Sequence, residues 1–203
     1  MSDVVNFEPG TDRAVWDGPD EHIIFRVSQL VLLLSIAAEE NATIASIDRL
    51  AYYDFFAANP YVVLDGASPD KDASDRISLL LSGFQEGQLS YGGVGQRFAS
   101  RRQRIKHDLS ILISYGLAEI DQDGYGASAA GLRHAESLST VYADAYRASA
   151  RIVLRRLTRL SEKRLTSAVQ AWLGKSWLLL DFLDDVRDPE STQENEEANS
   201  VIH

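Results

Sequence analysis

The stretch QRFASRRQRIKHDLSILISYGLAEIDQDGYGAS, Gln96 to Ser128, leaves little freedom in local structure. Phe98, Ile105, Leu109 and Leu112 share one face of a helix. Gly116 fits a left-handed stop at its C-terminus. A short strand follows, Asp123–Gly124 turns the chain, and Tyr125 begins a return strand. Ser128 can then cap another helix.

The flanking segments carry the same helical signal. Asp20 can cap a helix from about Glu21 to Ala38, with Ile23, Ile24, Val27, Leu30, Val31, Leu34 and Ala38 at helical spacing. NATIAS is short and β-prone. Ser46 can cap a second helix that ends before Pro60. Residues 60–74 read as a loop, SDRISLLLSGF as a third helix, and EGQLSYGGVG as a glycine-rich turn. After Ser128 a single helix of about thirty residues is expected, and Ser161–Glu162 can start one more.

This order predicts a mainly α fold: a winged-helix-like body with a short β-hairpin wing and long C-terminal helices. Residues 1–19 would form an N-terminal arm and 20–135 the winged-helix-like domain, with an insertion at about 60–95. Residues 136–187 would form a C-terminal helical extension and 188–203 a disordered acidic tail. The insertion is far longer than the turn of about 3–4 residues in a DNA-reading helix-turn-helix.

Charge is strongly segregated. The net charge is −10, yet residues 97–175 hold 14 Lys/Arg against 7 Asp/Glu. Arg97, Arg101 and Arg104, together with Asp108, border one side of the core stripe of the basic helix; Arg102 and Lys106 border the other. Arg147, Arg151, Arg155, Arg159 and Lys163 follow at four-residue intervals, joined by Arg156 and Arg164. Like charges at that spacing repel by about 0.2–0.5 kcal/mol per pair, so a negative counterpart is expected. It could be nucleic-acid phosphate, an acidic partner protein, or this chain's own acidic ends.

The search for bond chemistry is mostly negative. The chain has no cysteine, which excludes disulfides and thiolate sites and fits a reducing cytoplasm. Gly174-Lys175-Ser176 resembles the end of a phosphate loop, but Val169 stands where its first glycine belongs. GGVG, Gly92–Gly95, lacks the dinucleotide spacing and reads as a turn. His22, His107, His134 and His203 have no metal-ligand spacing. Asp181, Asp184, Asp185 and Asp188 fall roughly on one helix side and read more simply as a solvated acidic end than as a metal site. Asp54, inside an apolar helix, reads as a satisfied buried carboxylate with tyrosine hydroxyls or Arg49 as partners. No cofactor and no metal are expected. The apolar run Val27–Ala38 is too short for the roughly 20 residues of a membrane span and reads as a buried helix. The N-terminus lacks the pattern of a signal peptide.

Four stretches together carry a family resemblance: FRVSQLVLLLSIA, IDRLAYYDFFAANPYVVL, RFASRRQRIKHDLSILISYGLAEI and DGYGASAAGLRHAESLSTVYADAYRASA. Over roughly Ile23 to Leu173 the chain resembles the middle component of ABC-three component systems, second class. Arg26, Leu50 through Asp54, Arg101–Arg102, Gly116–Leu117 and Tyr142–Tyr146 match that family's pattern. The acidic loop at Asp65–Asp75 and the long tail depart from it. The resemblance implies a small non-enzymatic subunit, encoded with an SMC- or Rad50-like ATPase and a separate effector such as a nuclease. Such systems, like the related Lamassu systems, are thought to counter phages and plasmids. The expected role is a cytoplasmic adaptor between ATPase and effector; a winged-helix transcription regulator is the alternative.

Overall fold

Helix α1, Ile23–Glu39, follows from an apolar run with no glycine or proline in it. The computed structural model describes residues 22–64, 68–86 and 94–174. The first turn of α1 is exposed, with Ile24 79% accessible, but every residue from Gln29 to Ala37 is buried. A helix apolar all round belongs at the centre of a bundle, and α1 sits there against α2, α4, α5 and α6. Asp20 lies outside the described residues.

Helix α2, Ile47–Ala58, begins where expected: Ser46 Oγ accepts from Arg49 N–H at 3.2 Å. Pro60 ends it and opens a 3₁₀ turn, Pro60–Val63. Helix α3, Pro69–Leu81, starts earlier than expected, inside the stretch that reads as loop. Its own sequence explains the start. Pro69 occupies the first helical turn, where no N–H partner is needed, and Asp70 and Asp72 favour that end of the helix dipole.

Helix α4, Val94–Ser114, takes in the last two residues of GGVG; the first two lie outside the described residues. Gly116 at φ +67° closes it, with Gly116 N–H on Ile113 C=O and Leu117 N–H on Leu112 C=O. Strands β1, Ala118–Ile120, and β2, Tyr125–Ala127, pair antiparallel with Ile120 opposite Tyr125. At the turn, Asp121 Oδ1 accepts from the N–H groups of Asp123 and Gly124. Gly124 has φ +130°, and a Cβ there would collide with the carbonyl of Ile44, so the position needs glycine twice over. NATIAS forms no strand, but Tyr125 N–H donates to Ile44 C=O at 3.0 Å, which ties it to the hairpin edge.

The expected thirty-residue helix is two helices, α5, Ala129–Ser137, and α6, Val141–Leu157. Thr140 breaks the run by capping α6, its Oγ1 accepting from Ala143 N–H at 3.0 Å. Ser128 caps α5 as expected. Helix α7, Glu162–Leu173, completes the described chain. The result is mainly helical, with seven α-helices and one small sheet among the described residues.

One hydrophobic core runs from Leu30 of α1 to Leu173 of α7. It continues across residue 136, the expected boundary between body and extension. Fully buried Phe98 of α4 stacks on Tyr52 at 5.6 Å and meets Phe55 edge-on at 5.3 Å. Burial of such a ring contributes about 1.5–3 kcal/mol. A satellite cluster of Leu64, Leu79, Phe84 and Ile152 holds α3 against α6.

Candidate docking cleft

Arg101 and Arg102 of α4 and the arginines of α6 pair with carboxylates of the same chain. On α4, Arg101 points into the protein and pairs bidentately with Asp54 of α2, also donating to Gln29. Its side chain is 10% exposed and that of Asp54 3%. Arg102 donates to Asp48 at 2.9 Å. Arg97 and Arg104 also interact with neighbouring groups, whereas exposed Lys106 has no partner among the described residues. Asp54 is therefore a satisfied buried carboxylate, and a tyrosine hydroxyl is one partner: Tyr146 O–H donates to its Oδ1 at 3.2 Å. The cation is Arg101, not Arg49; Arg49 instead bonds Tyr53, Glu162 and the carbonyl of Leu160. Further along α4, Asp108 forms a buried bidentate pair with Arg26 of α1, at 2.7 and 2.9 Å.

Burial raises the Tyr146 phenol well above its ordinary range, and the Asp54 charge adds to the effect. Below about pH 10 the folded and unfolded chains both keep this proton. Above it the unfolded chain loses the proton while the folded chain holds it, so stability falls as pH rises. The slope from this group approaches about 1.4 kcal/mol per pH unit. Urea titrations from about pH 8 to 11 should show wild type losing stability relative to Tyr146→Phe, and parallel curves would contradict the assignment.

Four-residue spacing on a helix drifts by about 40° per step, so successive arginines of α6 face different neighbours. Arg147 reaches the end of α5, donating to Ala135 C=O and Leu138 C=O and pairing with Asp144. Arg151 pairs with Glu39 beyond α1's core-facing turns. Arg155 and Arg156 turn to α3: Arg155 meets Asp75, and Arg156 meets both Asp72 and Asp75, each at 2.7 Å. Burial alone would lower the Arg156 pKa, but its hydrogen bond to Asp75 and its ion pair with Asp72 outweigh it and hold it raised. The stripe is thus divided among ties to α5, α1 and α3.

Past that clasp the charge is uncommitted. Arg159 is exposed just after α6, and Lys163 is exposed on α7, both without a partner among the described residues. Here α3, α6 and α7 enclose a cleft of about 680 Å³. Lys71, Arg155, Arg156 and Arg159 contribute cations, Asp75 one carboxylate, and Val63, Leu157, Leu160 and Trp172 apolar surface. Trp172 is fixed by an edge-on contact with Phe56 at 5.3 Å. A concave site of this size with a cationic rim suits an acidic group carried on an apolar body.

Of the ten basic residues singled out in the sequence, Arg155 and Arg159 come together in this cleft. Arg97, Arg101, Arg102, Arg104, Lys106, Arg147 and Arg151 lie elsewhere, and Lys163 does not line it. Lys71 and Trp172 were not foreseen. The Ser68-Pro69 start of α3 was the available signal for Lys71. Among the described residues no helix is long and apolar enough to cross a membrane, and no group of three or more His, Asp or Glu residues is placed to hold a metal. Asp181, Asp184, Asp185, Asp188 and the acidic tail lie outside the described residues.

Compared with known proteins, the chain matches no family model, no curated protein and no solved structure.

Proposed function

We propose that this chain is a non-catalytic adaptor of a bacterial defence complex, joining an SMC- or Rad50-like ATPase to an effector such as a nuclease. The four-stretch resemblance supplies that role. The observation that supports docking is that Arg159 and Lys71, without a partner among the described residues, meet Trp172 and Leu160 around one cleft. Protein interfaces favour such a combination of cation, aromatic ring and apolar wall. Attachment would be electrostatic and apolar, in the cytoplasm, without a cofactor.

A winged-helix DNA regulator is the second reading. The bond from Tyr125 N–H to Ile44 C=O favours it, since it sets the segment after α1 beside the hairpin as a winged helix requires. Against direct DNA reading, Arg101 and Arg102 of α4 are turned to Asp54 and Asp48.

Lys71→Glu with Arg159→Glu tests the choice without touching a folding contact among the described residues. Co-purification of the full chain with the ATPase should fall about tenfold or more, the loss of about 1.4 kcal/mol that opposing charges at an interface readily impose. Lys106→Glu should leave it unchanged. If the reversed chain still captures the ATPase, and the parent binds duplex DNA with a steep salt dependence that Lys106→Glu weakens, the regulator reading replaces this one.

A further inference from the structure

The cleft lies beside the point where the described chain ends, and the next stretch of sequence has the complementary composition. Trp172 forms part of the wall, α7 stops at Leu173, and Gly174 turns the backbone at φ +75°. Residues 176–188 then read SWLLLDFLDDVRD. They carry Asp181, Asp184, Asp185 and Asp188 at helical spacing, against one cation, Arg187. They also carry Trp177, Leu178, Leu179, Leu180, Phe182 and Leu183, a set that gains from leaving water.

We propose that residues 176–188 of this chain are the resting occupant of the α3–α6–α7 cleft, and that a partner docks by displacing them. The proposal rests on the reading of the cleft as a docking surface and names what regulates it. Carboxylates of the segment meet Lys71 and Arg159, which have no partner among the described residues; its apolar side chains meet Val63, Leu157, Leu160 and Trp172. Asp75 in the wall is already paired with Arg155 and Arg156, which leaves the lining net cationic toward the segment, and the apolar wall adds burial. Proximity lowers the demand on affinity. A short tether gives a local concentration on the order of millimolar, so a contact with a millimolar Kd is half closed.

The chain has no native cysteine, which permits paired labels in the full-length protein. Spin labels at Ser74→Cys, in the cleft wall, and Val186→Cys should report one short distance, unchanged on dilution with unlabelled protein. Lys71→Glu with Arg159→Glu should lengthen and broaden it. Adding Asp184→Arg and Asp185→Arg to that variant should bring the short distance back. In the otherwise native chain, Asp184→Arg with Asp185→Arg should raise ATPase capture about tenfold if the cleft is closed nine-tenths of the time.

A long distance in the parent, or a distance indifferent to the charge reversals, overturns the proposal. If capture by that parent still depends on Lys71 and Arg159, the cleft remains a docking surface and only its resting occupant is wrong. If the distances respond as stated while capture ignores every cleft variant, the segment sits in the cleft and the docking reading falls. A short distance lost on dilution with unlabelled chain assigns the cleft to a second copy and also overturns occupancy in cis.

Discussion

Asp54→Ala should lower the unfolding free energy by about 3–5 kcal/mol, the loss expected when one member of a buried ion pair is removed. The reason is the group left behind. Arg101 is held at 10% side-chain exposure between α4, α2 and α1, and its Nε and Nη2 both donate to the Asp54 carboxylate. Without that carboxylate a desolvated guanidinium loses its buried counter-charge and keeps neutral Gln29 beside it, and Tyr146 O–H loses its acceptor. Asp54→Asn keeps shape and one acceptor oxygen, so its loss should be smaller. Asp54→Leu combined with Arg101→Met removes both charges and should recover most of the stability, because the pair's attraction is largely offset by its desolvation. Urea midpoints at constant m-value measure all three. A loss below about 1 kcal/mol for Asp54→Ala would show that water reaches Arg101 in the folded chain.

That network also shows which parts of the molecule were readable in advance. Ser46, Gly116, Asp123–Gly124 and Ser128 act on residues a few positions away, so their roles as cap, stop, turn and cap follow from local sequence. Asp54 was legible as a buried carboxylate because its neighbours are apolar, but its tyrosine partner, Tyr146, comes from α6 and not from the adjacent Tyr52 or Tyr53. Its cation was not legible: Arg101 lies on another helix, and helical spacing places it at the border of the core stripe without saying which way the head turns. The α6 arginines repeat the problem. Their periodicity was plain, but Glu39, Asp72 and Asp75 reach them only through tertiary packing. Thr140 is a local signal that the continuing helical period hides, since a Ser-Thr step inside such a period offers a cap to a new helix. With so many cations answered internally, the search for an external partner narrows from a helix-long stripe to the cleft that holds Arg159 and Lys71.

Arg156→Ala should release α3 from the body without unfolding the rest. Arg156 bridges Asp72 and Asp75, whose side chains are 7% and 11% exposed. Its removal leaves one carboxylate with the half-exposed Arg155 and the other without that bridge, in a place where water is scarce. The satellite cluster of Leu64, Leu79, Phe84 and Ile152 is small, so it cannot absorb a loss of about 3 kcal/mol as the main core can. The expected readout is amide exchange across Asp72–Leu81 faster by roughly a hundredfold, with α1 and α2 still protected, because about 1.4 kcal/mol corresponds to each factor of ten. Arg155→Ala is the control: its side chain is 51% exposed, and its pair with Asp75 should contribute less than about 1 kcal/mol. Exchange that rises equally in every helix would make the clasp part of the global fold. Exchange that does not rise at all would mean that Leu79 and Phe84 hold α3 alone. Because α3 supplies Lys71 and Ser74 to the cleft, its release removes one wall of the docking surface. Arg156→Ala should therefore lose partner capture as fully as reversal of Lys71 and Arg159, though Arg156 offers the partner little exposed surface of its own.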